Sequence, residues 1–286
     1  MELFRALAVL AEPPGPEAGR LAEILGLGSR PPPEEYTELF LFQLYPYASV
    51  YVGAAGRLGG DARDRIAGFW RAVGLTPPVE PDHLAVLLGL YATVAEREHD
   101  EPDGTRRPRW RRVRHALLWE HLLSWLGPYL ARVEDLGSPV YAAWAASLRG
   151  ALAEEAAALG GPVALPLHLR EAPPLPAAEA GADEWLEALV APARSGVLLT
   201  RADLARGARE LGLGLRAGER RFALRALVGQ DPRATLAWLA GEARAWESRH
   251  VGAIVAGPAI GEWWASRARA TAAALEDARV EENVHA

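Results

Sequence analysis

The sequence predicts an all-α protein: a helical bundle over residues 1–160, a linker over 161–182 and a helical C-terminal extension over 183–286. Three observations lead there. The aliphatic residues are mostly Ala and Leu, which favour helix, while β-branched residues are sparse. Apolar side chains recur at i, i+3, i+4 and i+7, the helical period. Clusters of proline and glycine separate these stretches, and no segment reads convincingly as a strand.

Taken in order, Leu3, Leu7 and Leu10 share one face of a first helix, which Pro13, Pro14, Gly15 and Pro16 end. Leu21, Ile24 and Leu25 mark a second, short helix. Pro31 to Pro33 lead into a helix from Glu34, where Glu34 and Glu35 suit the positive end of the helix dipole. Ile66, Phe69, Trp70 and Val73 give the period over residues 61–73. Pro81 is expected as the first residue of the next helix, followed by Leu84, Leu87, Leu88 and Tyr91. Residues 96–109 are polar, contain Pro102, Gly104 and Pro108, and read as a loop. Leu118, Leu122, Trp125, Leu126 and Tyr129 define a long helix expected to bend at Pro128. Ser138 and Pro139 are an N-cap and a first helical residue, and that helix runs through Val140, Trp144 and Leu148 to Leu159.

Residues 160–182 carry Pro162, Pro166, Pro173, Pro174 and Pro176 and read as a linker or extended arm. Helical signals resume at Asp183. Thr200 with Asp203 resembles a capping box, with Asp in place of Glu. Asp231 and Pro232 start a helix through Trp238 and Trp246, and a last helix runs from Pro258 towards Glu282. Adjacent helical residues face about 100° apart, so one of Trp263 and Trp264 is expected to be buried, with Trp238 and Trp246.

Composition excludes several chemistries. The 286 residues are 50% hydrophobic and 24% charged, with no cysteine. Disulfides, thiolate metal sites and a cysteine nucleophile are therefore absent. All 31 basic residues are arginine, which removes Schiff-base chemistry and a P-loop, both of which need lysine. The net charge of −6 sits mostly in residues 1–160, with 16 Arg against 21 Asp and Glu, whereas residues 183–286 balance at 14 each. That distribution argues against nucleic-acid binding and allows a cationic partner. No basic segment followed by a long apolar run opens the chain, and no run approaches the ~18 apolar residues of a membrane span. A cytoplasmic location is expected.

Two segments carry candidate binding chemistry. The first is Pro46-Tyr47-Ala48-Ser49-Val50-Tyr51, between helices, where tyrosine offers an apolar face and a hydroxyl. It reads as a packed loop or as a ligand-facing one. The second is Glu80-Pro81-Asp82-His83-Leu84. Its carboxylates suit a helix start; as an exposed rim they would instead bind guanidinium groups through charge-assisted, often bidentate bonds.

The ordered set PYASVY, GRLGGD, FWRAVGL, EPDHL and EHLLSWLGPYL, with YTELF at residues 36–40, resembles the TorD/DmsD family of cytoplasmic chaperones for twin-arginine-exported molybdoenzymes. The resemblance covers roughly residues 1–160, and EPDHL followed about 40 residues later by HLLSW is its strongest part. It implies an all-helical protein, not an enzyme and without a cofactor of its own. Such a protein binds a signal peptide carrying an Arg-Arg pair and an apolar stretch. It holds the apo form of a molybdopterin oxidoreductase until the cofactor is inserted. Carried over by motif, the peptide site comprises Tyr47, Ser49, Tyr51, Phe69, Trp70, Glu80, Asp82 and His83. Asp82 and His83, with Glu80 beside them, are the polar part, and Phe69 and Trp70 are apolar surface. A guanine nucleotide is a further partner that the resemblance leaves open, as are a monomer and a domain-swapped dimer. Position 48 is Ala where the family usually has Glu, and the chain beyond residue 160 is longer than usual and takes no role from the resemblance.

Three other clusters need weighing. Arg106, Arg107, Arg109, Arg111, Arg112 and Arg114 crowd around Trp110. Cations at a helix N-terminus oppose the macrodipole, so an acidic partner surface or a phosphate would supply a reason for them. Glu98, His99, Asp100, Glu101 and Asp103 suggest a metal-dependent hydrolase but lack ligand spacing. His115 and His121 fall on different helical faces, and His121 reads as a hydrogen-bonded helix residue. Residues 200–228 suggest a DNA-binding helix-turn-helix, with helices from Thr200 and Arg216 and a basic face of Arg216, Arg220, Arg221 and Arg225. The zero net charge of the surrounding residues 183–286 opposes that reading.

Overall fold

Helix forms wherever the Ala- and Leu-rich period runs unbroken, and glycine or proline sets most of the boundaries. In a computed structural model, which describes residues 1–252 and 257–284, all regular structure among the described residues is helical, with one isolated bridge between Tyr47 and His83. The chain divides into two units. One comprises Met1–Ser49, Leu58–Arg170 and Val255–Gly257; the other comprises Val50–Arg57, Glu171–Ile254 and Pro258–Ala286.

The first unit contains α1 (Glu2–Val9), α2 (Pro16–Ile24) and α3 (Pro33–Tyr36), the last continuing into a π-helical stretch at Thr37–Gln43. After α4 (Ala48–Val52), where the chain passes to the second unit, come α5 (Gly60–Ala72) and α6 (Leu84–Asp100). Next, α7 (Arg107–Ala116) runs through a second π-helical stretch, Leu117–Leu122, into α8 (Leu123–Leu136). α9 (Pro139–Leu159) and α10 (Leu167–Arg170) complete the unit. α6 is its centre: Leu84, Leu87, Leu88, Tyr91 and Val94 are fully buried, so it is apolar nearly all round. α1 packs along α6, and Trp144 of α9 donates from Nε1 to the Leu7 carbonyl at 2.9 Å. An aromatic cluster of Tyr36, Phe40, Tyr141 and Trp144 closes one side, with ring centroids 5.0–5.9 Å apart. Burying each such ring is worth about 1.5–3 kcal/mol.

Several boundaries differ from expectation. Pro81 is not the first residue of α6: the N-cap is His83, whose Nδ1 accepts the Ala85 N–H at 3.2 Å. The reason is that residues 80–83 are held across to residues 46–49, which delays the helix. The loop expected over 96–109 is shorter, because α6 continues to Asp100 and Pro108 sits in the first turn of α7, where its missing N–H costs nothing. Pro128 lies inside α8, and the departure from α geometry falls earlier, at Leu117–Leu122.

The second unit contains α11 (Ala182–Leu189), α12 (Pro192–Ser195), α13 (Arg201–Leu211), α14 (Arg220–Gln230), α15 (Pro232–Gly252) and α16 (Gly257–Val284). The capping box opens α13: the Asp203 carboxylate accepts the Thr200 N–H at 2.9 Å, and Thr200 Oγ1 accepts the Asp203 N–H at 3.2 Å. Trp246, His250 and Trp264 stack with centroids 5.1 and 5.7 Å apart, and His250 Nε2 donates to the Gly196 carbonyl at 2.7 Å. Gly196 is required twice over: φ is +72°, and a Cβ there would lie 2.3 Å from the Ala268 nitrogen. Trp246 and Trp264 are buried as expected, at 2% and 1% exposure. Trp238 is only half-buried, because it lies over Gly207 with Nε1 donating to Glu210 at 3.0 Å. α14 starts at Arg220 rather than Arg216, since Gly218, at φ +142°, interrupts the helical pattern. Residues 160–182 are not wholly extended: Leu167–Arg170 is helical, and His168 and Leu169 are buried.

Candidate functional site

The two sequence segments meet. Residues 46–49 and 80–84 lie antiparallel, the Ala48 N–H donating to the Asp82 carbonyl at 3.0 Å and the Leu84 N–H to the Pro46 carbonyl at 2.8 Å. Side chains extend the pairing. Asp82 Oδ2 accepts the Ser49 N–H at 3.2 Å, and Ser49 Oγ accepts the Gly59 N–H at 3.1 Å. Tyr47 donates its hydroxyl to Glu80 Oε2 at 3.0 Å, and its ring stands edge-on to His83 at 4.8 Å. The arriving loop is also tied to α5: Trp70 Nε1 donates to the Pro81 carbonyl at 3.4 Å and Arg63 to the Val79 carbonyl at 2.8 Å.

The members differ in access. Glu80 is exposed, while Tyr47, Phe69 and Trp70 are half-buried. Ser49, Asp82 and His83 are buried, at 0%, 2% and 8% exposure. The exposed polar rim expected of Glu80, Asp82 and His83 is thus offered by Glu80; Asp82 and His83 are buried, and Asp82 Oδ2 and His83 Nδ1 accept backbone N–H groups. Tyr51 is also buried and belongs to the second unit. Burial holds the His83 pKa below its ordinary value, although Glu80, Glu12 and Asp82 pull the other way. With Nδ1 accepting from Ala85, the imidazole is neutral and carries its proton on Nε2. Burial, then the bond to Glu80, raises the Tyr47 pKa, so its phenol stays a donor. Tyr36 is pushed up to about 12 by burial and by Glu12 and Glu80.

Phe69 faces His121, with ring centroids 4.8 Å apart, and His121 Nδ1 lies 3.4 Å from His168 Nε2. His121 is driven down to about 3 by burial, then by His168. His121 occupies the π-helical stretch, and π geometry is frequent at functional positions. Nothing in the sequence marks this pair: His121 reads as an ordinary helix residue, and the Pro-rich surroundings of His168 signal a linker. Glu120 Oε2 accepts the Leu167 N–H at 2.6 Å, Trp119 Nε1 donates to the Gly160 carbonyl at 2.9 Å, and the chain over 160–170 is thereby strapped to this helix.

The other clusters are engaged structurally. Glu98 pairs with Arg114 at 3.1 Å, Glu101 accepts from Trp110 at 3.3 Å, and Asp103 accepts from Thr105 at 2.7 Å. No group of three or more His, Asp or Glu placed to hold a metal ion occurs among the described residues. In α14, Arg220 donates to the Leu199 carbonyl at 2.9 Å, Arg221 pairs with Glu187 and Arg225 with Asp183. The basic face expected for DNA is therefore largely neutralised. No helix among the described residues is long and apolar enough to cross a membrane.

Compared with known proteins, residues 31–131 match the profile of the family described as nitrate reductase delta subunit. The match covers 101 of the 286 residues, and over that stretch the chain is similar to that family. It is a family of redox-enzyme maturation chaperones, in agreement with the resemblance carried by the motifs. No curated protein and no solved structure gives a significant match. The delta-subunit stretch runs from before α3 into α8 and contains all eight candidate residues and His121; His168 and the second unit lie beyond it.

Proposed function

We propose that this chain is a maturation chaperone that binds the twin-arginine signal peptide and apo form of a molybdopterin oxidoreductase, in the cytoplasm and before export, and is not itself an enzyme. The observation that carries this reading is Glu80, an exposed carboxylate held in place by the Tyr47 hydroxyl at 3.0 Å and standing on the loop that Trp70 anchors to α5. A guanidinium group takes a fixed carboxylate better than a mobile one, because less side-chain freedom is lost on binding. The half-buried Trp70 and Phe69 supply aromatic surface for the apolar stretch of the peptide. Asp82, His83 and Ser49 act as positioning residues that fix this loop. Glu12, which acts electrostatically on both Tyr36 and His83, adds negative potential near the same place.

The test is co-expression of the full chain with a molybdopterin oxidoreductase from the same organism, followed by gel filtration. The expected outcome is a complex with the cofactor-free enzyme bearing its signal peptide, and none with the cofactor-loaded enzyme lacking it. Equal association with both forms would contradict the reading.

A further inference from the structure

The six arginines around α7 separate into two faces. At ~100° per residue, Arg107, Arg111 and Arg114 fall on one side and Arg106, Arg109 and Arg112 on the other. The first set is consumed by the fold. Arg107 donates to the Glu101 carbonyl at 2.9 Å and Arg111 to the Ala158 carbonyl at 2.7 Å, while Arg114 bridges Glu98 at 3.1 Å and Glu155 at 3.2 Å. The second set is exposed. Arg106 meets Asp103 at 3.3 Å, and the side chains of Arg109 and Arg112 have neither an ion pair nor a hydrogen bond among the described residues. α7 has no buried side chain, so the outward arginines cover no core. They also stand in the first turns of a helix, where the dipole disfavours cations. Two guanidinium groups there, Arg109 and Arg112, are a charge left uncompensated by the described residues, and Arg106 beside them is only partly compensated by Asp103.

We propose that the outward stripe Arg106, Arg109 and Arg112 is a docking surface for an acidic segment of a partner protein, with carboxylates spaced to meet successive turns of α7. The rise of ~1.5 Å per residue separates neighbouring arginines by about 4.5 Å along the axis, a spacing that side chains one helical turn apart on a partner also present. Arginine forks suit carboxylates bidentately. A nucleic acid fits less well, because its continuous phosphate charge would run beyond the three arginines onto Asp103 and onto a chain of net charge −6. The surface is independent of the signal-peptide reading.

Fluorescence anisotropy of the full chain at low ionic strength tests this with three labelled probes: a helical peptide with Glu at every third or fourth position, its Gln counterpart, and a DNA duplex of about 20 base pairs. The Glu peptide is expected to bind at least tenfold more tightly than the Gln peptide and to weaken as salt is added. Arg109→Glu with Arg112→Glu should abolish that difference, and Arg109→Gln with Arg112→Gln should reduce it at least threefold. Arg216→Glu with Arg233→Glu, exposed arginines elsewhere, should leave it unchanged. Circular dichroism confirms that each variant is folded. Equal binding of the Glu and Gln peptides, an unaltered preference in the folded Arg109/Arg112 variants, or tighter binding of DNA through these arginines would each overturn the proposal.

Discussion

Only Pro81 separates Glu80 from Asp82, yet one carboxylate meets solvent and the other is only 2% exposed. The difference follows from what each accepts. Asp82 takes the Ser49 backbone N–H in a buried place, so Asp82→Ala leaves that donor unpaired, at a cost of about 1–3 kcal/mol. A lower urea midpoint is expected, with peptide affinity falling as the loop loosens; an unchanged midpoint would show that Asp82 does not fix the loop. The histidines respond to pH with a definite sign. His121 is held down to about 3 and His250 to about 4 by burial, and His83 is lowered as well. Each is neutral in the fold and takes up a proton on unfolding near its ordinary value of 6.5. Their contribution is therefore fully present above pH 6.5 and lost as pH falls towards the folded values, at up to ~1.4 kcal/mol per pH unit for each group. Urea midpoints between pH 7.5 and 4.5 should fall towards acid, less steeply in His168→Gln, which relieves one histidine of its neighbour. A flat profile would contradict this account.

At the scale of elements, the caps and the π-helical stretches do most to set where side chains point. The Thr200 capping box was legible in the sequence because its bonds are local, three residues apart. Thr200→Ala should cost about 0.5–2 kcal/mol, read as a lower melting temperature, and no change would mean that other contacts hold the start of α13. The start of α6 was not legible. Pro81 has the sequence signature of a first helical residue, but bonds from residues 46–49, more than thirty positions away, hold residues 80–82 out of the helix. The π-helical stretch at Leu117–Leu122 carries no local signature either, and with it went the pairing of His121 and His168. Glycine and proline announced most ends correctly; what they could not announce was tertiary hydrogen bonding that overrides them.

For the molecule as a whole, the all-helical class follows from composition, periodicity and the placing of proline and glycine, and the family match over residues 31–131 agrees with the ordered motifs. The eight candidate residues were named from those motifs, and the geometry brings Tyr47, Ser49, Trp70, Glu80, Asp82 and His83 into one bonded loop pair. Which of them meets solvent was illegible, since burial depends on packing from distant elements. The division of the chain was also hidden: Val50–Arg57 belongs with the C-terminal helices although it lies early in sequence. Truncation after Arg170 would strip this segment of the unit to which it belongs, so the shortened chain should lose solubility and melt at a lower temperature than the full chain. Equal solubility and melting would show that the second unit is dispensable for folding. The signal-peptide reading itself stands or falls on Glu80. In calorimetry with a twin-arginine signal peptide of a molybdopterin oxidoreductase and its Gln-Gln counterpart, Glu80→Gln should weaken the native peptide at least fivefold, about 1 kcal/mol. It should leave the Gln-Gln peptide unaffected. Equal affinity of the folded variant and the unaltered chain for the Arg-Arg peptide would contradict the placement of the arginine pair at this loop.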